Sequence, residues 1–388
     1  MKWEKVEIGQ LGDVITGNTP PRKNPELYGD FVPFIKPTDI DIDRRYTPNP
    51  EECYSELGYE RYRKSLIPKG ATCVVTIGSI GKKITQAIAD CFINQAVNAV
   101  IPNENYDADF VFYLLKNNLD KVKGLDSGTS SGRENVSKSS FSSIEVKVIK
   151  HLPTQRKIAS ILSAYDDLIE NNLKRIKLLE EKAFLRYKQI VREEKMERKV
   201  SVYDYAEIMS GGTPSTTNPN YWEGSIPFFT PKDLSTQSGY YLDDTERKIT
   251  ELGLEKCNSR LFSKDTIFIT ARGTVGKLVL AKIPSAISQS NYALTTRDKS
   301  SNYFLFLALI DKISHFKQLA VGGVFDTIIV DTFKMIFLEL PDKNTINEFN
   351  IEIKPIFQFI DILQKQNAKL REARDILLPK LMNGQIEV

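Results

Sequence analysis

Histidine is almost absent from this chain: two occur in 388 residues, His151 and His315, far apart. A Ser/His/Asp triad or a histidine-rich metal centre has little to draw on. The four cysteines (Cys53, Cys73, Cys91, Cys257) form no C-x-x-C pair. No metal site or disulfide framework is implied, and small, buried or half-buried thiols are expected. No run of about 18 apolar residues occurs, and MKWEKVEIGQLGD at the start holds no apolar stretch of signal-peptide kind. A cytoplasmic protein without a membrane span is expected. Charge of one sign is also scarce in excess: the net is +3. That sum does not prove a nucleic-acid partner, because placement matters more. GSIGKK (78–83) is too short for a P-loop, and no G-x-G-x-x-G opens a helix. No resident cofactor is expected.

What the chain does have is an internal repeat. At an offset of 194, Thr19-Pro20 meets Thr213-Pro214, Asn24-Pro25 meets Asn218-Pro219, and Pro33-Phe34 meets Pro227-Phe228. At 195, Gly78, Gly81 and Lys82 meet Gly273, Gly276 and Lys277. Ile93, Gln95 and Ala99 meet Ile287, Gln289 and Ala293 at 194 again. The period is far longer than a solenoid unit, so two whole domains are duplicated.

Each copy has two parts. The first is rich in Gly, Pro, Ser and Thr, with strand-like runs such as ATCVVTIG (71–78) and DTIFITARG (265–273) bounded by turns. The second is a long helix. From Gln155 to about Glu194 there is no proline or glycine, and apolar residues recur at steps of three and four. About forty helical residues would span roughly 60 Å. The expected fold class is α/β (α+β): two pseudo-symmetric mixed α/β domains joined by two long helices that form an antiparallel coiled coil. The boundaries are 1–152 for the first domain, 153–198 for its helix, 199–341 for the second domain and 342–388 for its helix. Tyr165, Ile169, Ile176, Tyr187, Ile360, Leu363, Leu370 and Leu377 mark the helix seam and are expected to hold partners. Pro355 predicts a late start or a kink in the second helix.

The candidate contact loops repeat too. In the first domain they offer Thr19, Arg22, Lys23, Lys36, Ser79, Lys82, Lys83, Arg133 and Lys138; in the second, Thr213, Ser215, Thr216, Lys232, Arg272, Thr274 and Lys277. Glycines, prolines and apolar residues agree between the copies, whereas charged loop residues differ. A common scaffold with different loops suits two sites of different specificity. Arginine can read guanine, Asn and Gln can read adenine, and lysines and hydroxyls can hold phosphates. Lys82, Lys83, Arg272 and Lys277 are expected to face DNA. One decoy is PDKNTINEFNIEIK (341–354), whose Asp342 and Glu352-Ile353-Lys354 superficially resemble a metal-dependent nuclease pattern. They fall at the head of a long helix rather than on adjacent strands, and the first copy lacks them.

This layout resembles the specificity subunits of type I restriction-modification systems. SGGTPSTTNPNYWEGSIPFFTPKDL (210–234), ARGTVGK (271–277), HLPTQRKIASIL (151–162) and ILLPKLMNGQIEV (376–388) carry the resemblance. The first domain departs in reading TGNTPPRKNP and in lacking the arginine of ARGTVGK. The resemblance implies a non-catalytic reader of a bipartite double-stranded DNA target, with the helices as spacer. It implies two methyltransferase subunits as partners, which would bind S-adenosylmethionine, and restriction-motor subunits. Rival readings are a self-contained DNA methyltransferase or endonuclease, and a coiled-coil scaffold that never touches DNA.

Overall fold

The computed structural model describes residues 3–125, 135–236, 239–242, 245–298, 302–320 and 327–388, without the side chains of 235, 236 and 320. The chain divides into two compact units. One holds residues 1–171 and 367–388, the other 172–366. Compactness thus cuts the chain differently from the boundaries drawn on sequence: each unit takes one mixed α/β domain and part of both long helices.

In the first unit a four-stranded antiparallel sheet runs in the order Gly12–Thr16, Val97–Pro102, Thr72–Val75, Ile84–Gln86. The strand Thr72–Val75, β-branched at every position but Cys73, is buried throughout, as a central strand covered on both faces requires. A second sheet pairs Glu52–Tyr54 with Tyr28–Gly29 and Val32–Ile35, and Val32–Ile35 runs parallel to Phe92–Ile93. Trp3–Glu7 pairs with Glu145–Ile149, which leads into the first long helix, Leu152–Glu193.

The second unit repeats this plan. Its sheet runs Ala206–Ser210, Asn291–Thr296, Ile267–Thr270, Leu278–Ala281, with Tyr241–Leu242 added in parallel at the edge. One strand, Trp222–Phe229, replaces the two short strands of the first unit. Its register shifts between Trp222 and Ile226, and Glu223 takes a left-handed φ of 59° there. Arg198–Ser201 pairs with Phe337–Leu340, which leads into the second long helix, Lys343–Met382.

That helix starts twelve positions before Pro355, so the expected late start is not found. Asp342 caps it, accepting hydrogen bonds from the Asn344 and Thr345 amides at 2.8 and 3.1 Å. In the second unit the two helices meet at Arg186–Glu352, Arg175–Phe359 and Asn172–Gln366. One number rises as the other falls, so the pair is antiparallel. In the first unit the same helices meet at Asp166–Arg374, 2.5 Å apart.

Candidate nucleic-acid interface

In each unit the candidate loops converge on one end of the main sheet. The turn Asn94–Ala96 sits at the centre in the first unit. Its neighbours are bound to it or its flanks through Asn18 N–H to Ile93, Gly17 N–H to Val97 and Thr76 N–H to Ala96, at 2.9, 3.2 and 2.9 Å. Residue Ile77 then bridges to Asn135 beyond the glycine loop. The second unit builds the same cluster around Ser288–Ser290: Gly212 N–H donates to Ile287, Gly211 N–H to Asn291 and Ala271 N–H to Ser290, at 3.1, 3.3 and 2.9 Å. Arg272 bridges to Thr327. Two glycines make the approach possible. A Cβ on Gly17 would sit 2.0 Å from the Ile93 carbonyl oxygen, and one on Gly211 would sit 2.2 Å from that of Ser288.

The glycine loops are copies in conformation as well as sequence. Gly78 and Gly81 take φ of 86° and 69°; Gly273 and Gly276 both take 79°. Nothing lies within 4 Å of a Cβ built at Gly78 or Gly273, so the left-handed backbone, and not lack of space, demands glycine there. These turns hold Ser79 and Lys82 in one unit, and Arg272 and Thr274 in the other, exposed at the sheet end. Thr274 is fixed through its carbonyl, which accepts the Thr270 hydroxyl.

The sequence-selected cations separate into two groups. Lys23, Lys82, Lys138 and Arg272 are exposed. Several others are already engaged. Arg22 makes two hydrogen bonds to Glu52, at 2.8 and 3.1 Å, and lies over the Tyr28 ring. Lys36 pairs with Glu51 at 2.8 Å and Glu52 at 3.5 Å. Lys232 pairs with Glu246 at 2.6 Å, and Lys83 donates to the Pro37 carbonyl at 2.6 Å. Lys277 is half-buried. Burial pushes its ammonium below the ordinary lysine value, with Glu180 of the first long helix opposing that shift and Lys317 adding to it. Its surroundings are therefore partly internal, unlike those of Lys82, its counterpart. Thr19, Ser215 and Thr216 are exposed and Thr213 is half-buried. Ser215 and Thr217 share a hydrogen bond of 2.8 Å. Arg133 lies outside the described residues.

The hydroxyl and cationic residues selected from the sequence leave out two glutamines and a neighbouring cationic cluster. Gln95 and Gln289 stand exposed at the tips of the two central turns. The repeat had already placed them in register. Arg61, Arg63 and Lys64 join Asn18 around a cleft of about 710 Å³ beside the first loop cluster. Their clustering within four positions was the available signal.

The helix residues proposed as partner contacts divide as well. Ile169, Ile176, Tyr187, Ile360 and Leu363 are buried among the chain's own residues; Tyr165, Leu370 and Leu377 are half-buried. The large apolar side chains that the helices expose are others: Leu168, Leu178 and Leu185 on the first, Ile351, Phe359, Ile362 and Ile376 on the second. Sequence periodicity finds the buried seam but says nothing of apolar residues outside it. The nuclease-like carboxylates are otherwise engaged, Asp342 as helix cap and Glu352 with Arg186. Among the described residues no cluster of three potential metal ligands occurs, and no helix is long and apolar enough to cross a membrane.

Duplicated domains with matched turns and diverged loops match the sequence profile of the type I restriction modification DNA specificity domain, twice, over residues 1–181 and 193–372. The chain belongs to this family. A type I restriction enzyme specificity subunit of Methanocaldococcus jannaschii, MjaIX, is 24% identical over 411 residues, covering 100% of this chain and 94% of the relative. The HindI specificity subunit of Haemophilus influenzae is 30% identical over 186 residues, 47% of this chain and 40% of that one. Among solved structures, the S subunit of a type I restriction-modification system from M. genitalium shares the fold with a TM-score of 0.58, at 19% identity, covering 98% of this chain and 96% of that one. The chain is a DNA-recognition specificity subunit in fold and family.

Proposed function

We propose that each domain of this chain reads one half of a bipartite DNA sequence, and that the chain itself performs no chemistry. One observation carries this reading. The two units bring the same loops to the same sheet end on the same left-handed glycines, yet present different side chains there. Conserved backbone with divergent tips is the arrangement that two readers of different base sequences require. Thr19, Arg22, Lys23, Lys36, Ser79, Lys82, Lys83, Arg133 and Lys138 are the candidates for one half-site. Thr213, Ser215, Thr216, Lys232, Arg272, Thr274 and Lys277 are those for the other. The engaged residues would need to exchange a carboxylate or carbonyl for DNA.

Membership of the family supports a reading in which catalysis belongs to partner subunits. Two DNA methyltransferase subunits, holding S-adenosylmethionine, would dock on the long helices, and restriction subunits would join them, in the cytoplasm. The exposed Leu168, Leu178, Leu185, Ile351, Ile362 and Ile376 are better suited to that docking than the buried seam residues. Single exposed apolar residues are ordinary, whereas each of these helices carries several. The test is to express the chain with a type I methyltransferase subunit encoded beside it and to map modified bases genome-wide. A two-part motif with an unread gap is expected. Modification at a single continuous motif, or modification by the purified chain without that subunit, would overturn the reading.

A further inference from the structure

Gln95 and Gln289 are the same residue at the tip of the same turn in two domains whose neighbouring loops differ. In the first unit Val97 N–H closes the turn onto the Asn94 carbonyl at 3.1 Å; in the second, Asn291 N–H closes it onto that of Ser288, also at 3.1 Å. Each turn is pinned on both sides by backbone bonds to the threonine-proline loop and to the strand that leads into the glycine loop. The glutamines are therefore carried at the centre of each cluster on a backbone with little freedom. Both side chains are exposed. Thr19 donates its hydroxyl to the Gln95 amide oxygen, a bond that does not use the amide NH₂. No side-chain partner of Gln289 occurs among the described residues, and its backbone N–H reaches Thr213 Oγ1 at 3.5 Å. Exposed groups of this kind add little to fold stability.

A residue identical in two readers of different sequences cannot carry the difference between them. What two half-sites share regardless of sequence is the sugar-phosphate backbone. We propose that Gln95 and Gln289 are the positioning contacts of the two domains, each donating its amide NH₂ to a DNA phosphate and so setting the register in which the diverged side chains meet the bases. This rests on the DNA-reading function above and names one part of that interface.

The test uses the full chain. Its preferred duplex is first selected from a randomised pool. Affinity for that duplex and for a scrambled one is then measured against salt. Gln95→Ala and Gln289→Ala are each expected to weaken both duplexes by the same factor, about tenfold, without changing the selected sequence. The slope of log affinity against log salt should stay unchanged, because no charge is removed. Gln95→Arg and Gln289→Arg should restore affinity and steepen that slope by about one. Such steepening separates a phosphate contact from a turn that is merely disturbed. Loss on the preferred duplex alone would show base reading and overturn the proposal. So would unchanged affinity in both Ala variants, or arginine variants that bind no better than alanine. A wild-type chain that binds neither duplex would sink the underlying DNA reading as well.

Discussion

Where the domains meet the long helices, several matching positions of the two units carry opposite chemistry. In the first unit the joint is polar. Buried Asp166 accepts hydrogen bonds from Tyr113 at 2.6 Å and Arg374 at 2.5 Å, and buried Arg45 pairs with Asp109 at 2.5 Å and Gln86 at 2.8 Å. Gln155, fully buried, donates to the Ile149 carbonyl at 2.8 Å and accepts from the Asp107 N–H at 2.8 Å. At the offset of 194, Tyr113, Gln86, Gln155 and Asp166 become Leu307, Leu280, Phe349 and Ile360. The second joint has apolar and aromatic side chains at these positions, where Phe349 meets Phe304 at 5.5 Å and Phe357 stacks on Tyr303 at 4.5 Å and Tyr240 at 5.8 Å; its ionic contact lies elsewhere, at Asp361 with Lys264 at 3.2 Å and Lys282 at 3.4 Å. The same positions in one plan of chain thus accept either ionic and polar side chains or close-packed apolar ones.

The sharpest break should come from removing one ion. Arg374→Ala leaves Asp166 buried without its cation, and should cost about 3–5 kcal/mol. Replacing both, as Asp166→Leu with Arg374→Met, should recover most of this loss, because the pair is then exchanged for apolar packing; the buried Tyr113 hydroxyl, left without its acceptor, accounts for the remainder. Hydrogen exchange resolved over Phe110–Leu115 and over Phe304–Leu309 would locate the loss in the first unit. Equal loss in both variants would show that the network is not the joint. The matching change in the second unit is Phe357→Ala, which removes a ring from two stacked and two edge-on contacts and should cost about 3–5 kcal/mol, with protection lost over 304–309.

Next comes a remnant of the asymmetry. Arg374 minus the same offset is position 180, a glutamate. Glu180 accepts the Tyr240 N–H at 2.7 Å, but burial pushes its carboxyl up to about 7. The folded state therefore holds this proton more tightly than the unfolded chain, whose glutamate titrates near 4.5. Stability from this group is present below pH 4.5 and lost as pH rises to 7. Glu180→Gln keeps the acceptor and removes the charge, so it should stabilise the second unit at pH 8 by up to about 3 kcal/mol. Urea midpoints at pH 5 and pH 8 decide it: the two proteins should differ at pH 8 and converge at pH 5. A constant difference at both would exclude Glu180 as the titrating group.

Much of this was legible in the sequence because duplication writes the fold twice. Glycines and prolines that recur at one offset mark backbone that must be preserved, so both domains and both helices could be read from positions such as Gly78 and Gly273. Side-chain engagement was not legible. Whether Arg22 is free or held by Glu52 depends on strand pairing that brings residues thirty apart together. Nor does the helix period distinguish Asp166, which lies in the buried seam, from the surface carboxylates around it. A charge in a seam position reads as an exception until its partner, 208 positions away, is seen.

The smallest expected effect tests the DNA-facing ends, where the units also differ. Arg272 is exposed with no counterpart in the first domain, which has Ile77 at that position in the offset of 195. If Arg272 reads a base, Arg272→Ala should cost about 1–3 kcal/mol of binding and relax one position of one half-site. The other half-site should stay as it was, because its reader sits in the other unit. Arg22→Ala makes the complementary measurement. Its guanidinium is already committed to Glu52 and Tyr28, so a smaller change is expected, confined to the first half-site. Selecting bound duplexes from a randomised pool for each variant reports both. If Arg272→Ala altered both half-sites together, the independence of the two readers would fail, and with it the argument that divergent tips on a common backbone encode two separate words.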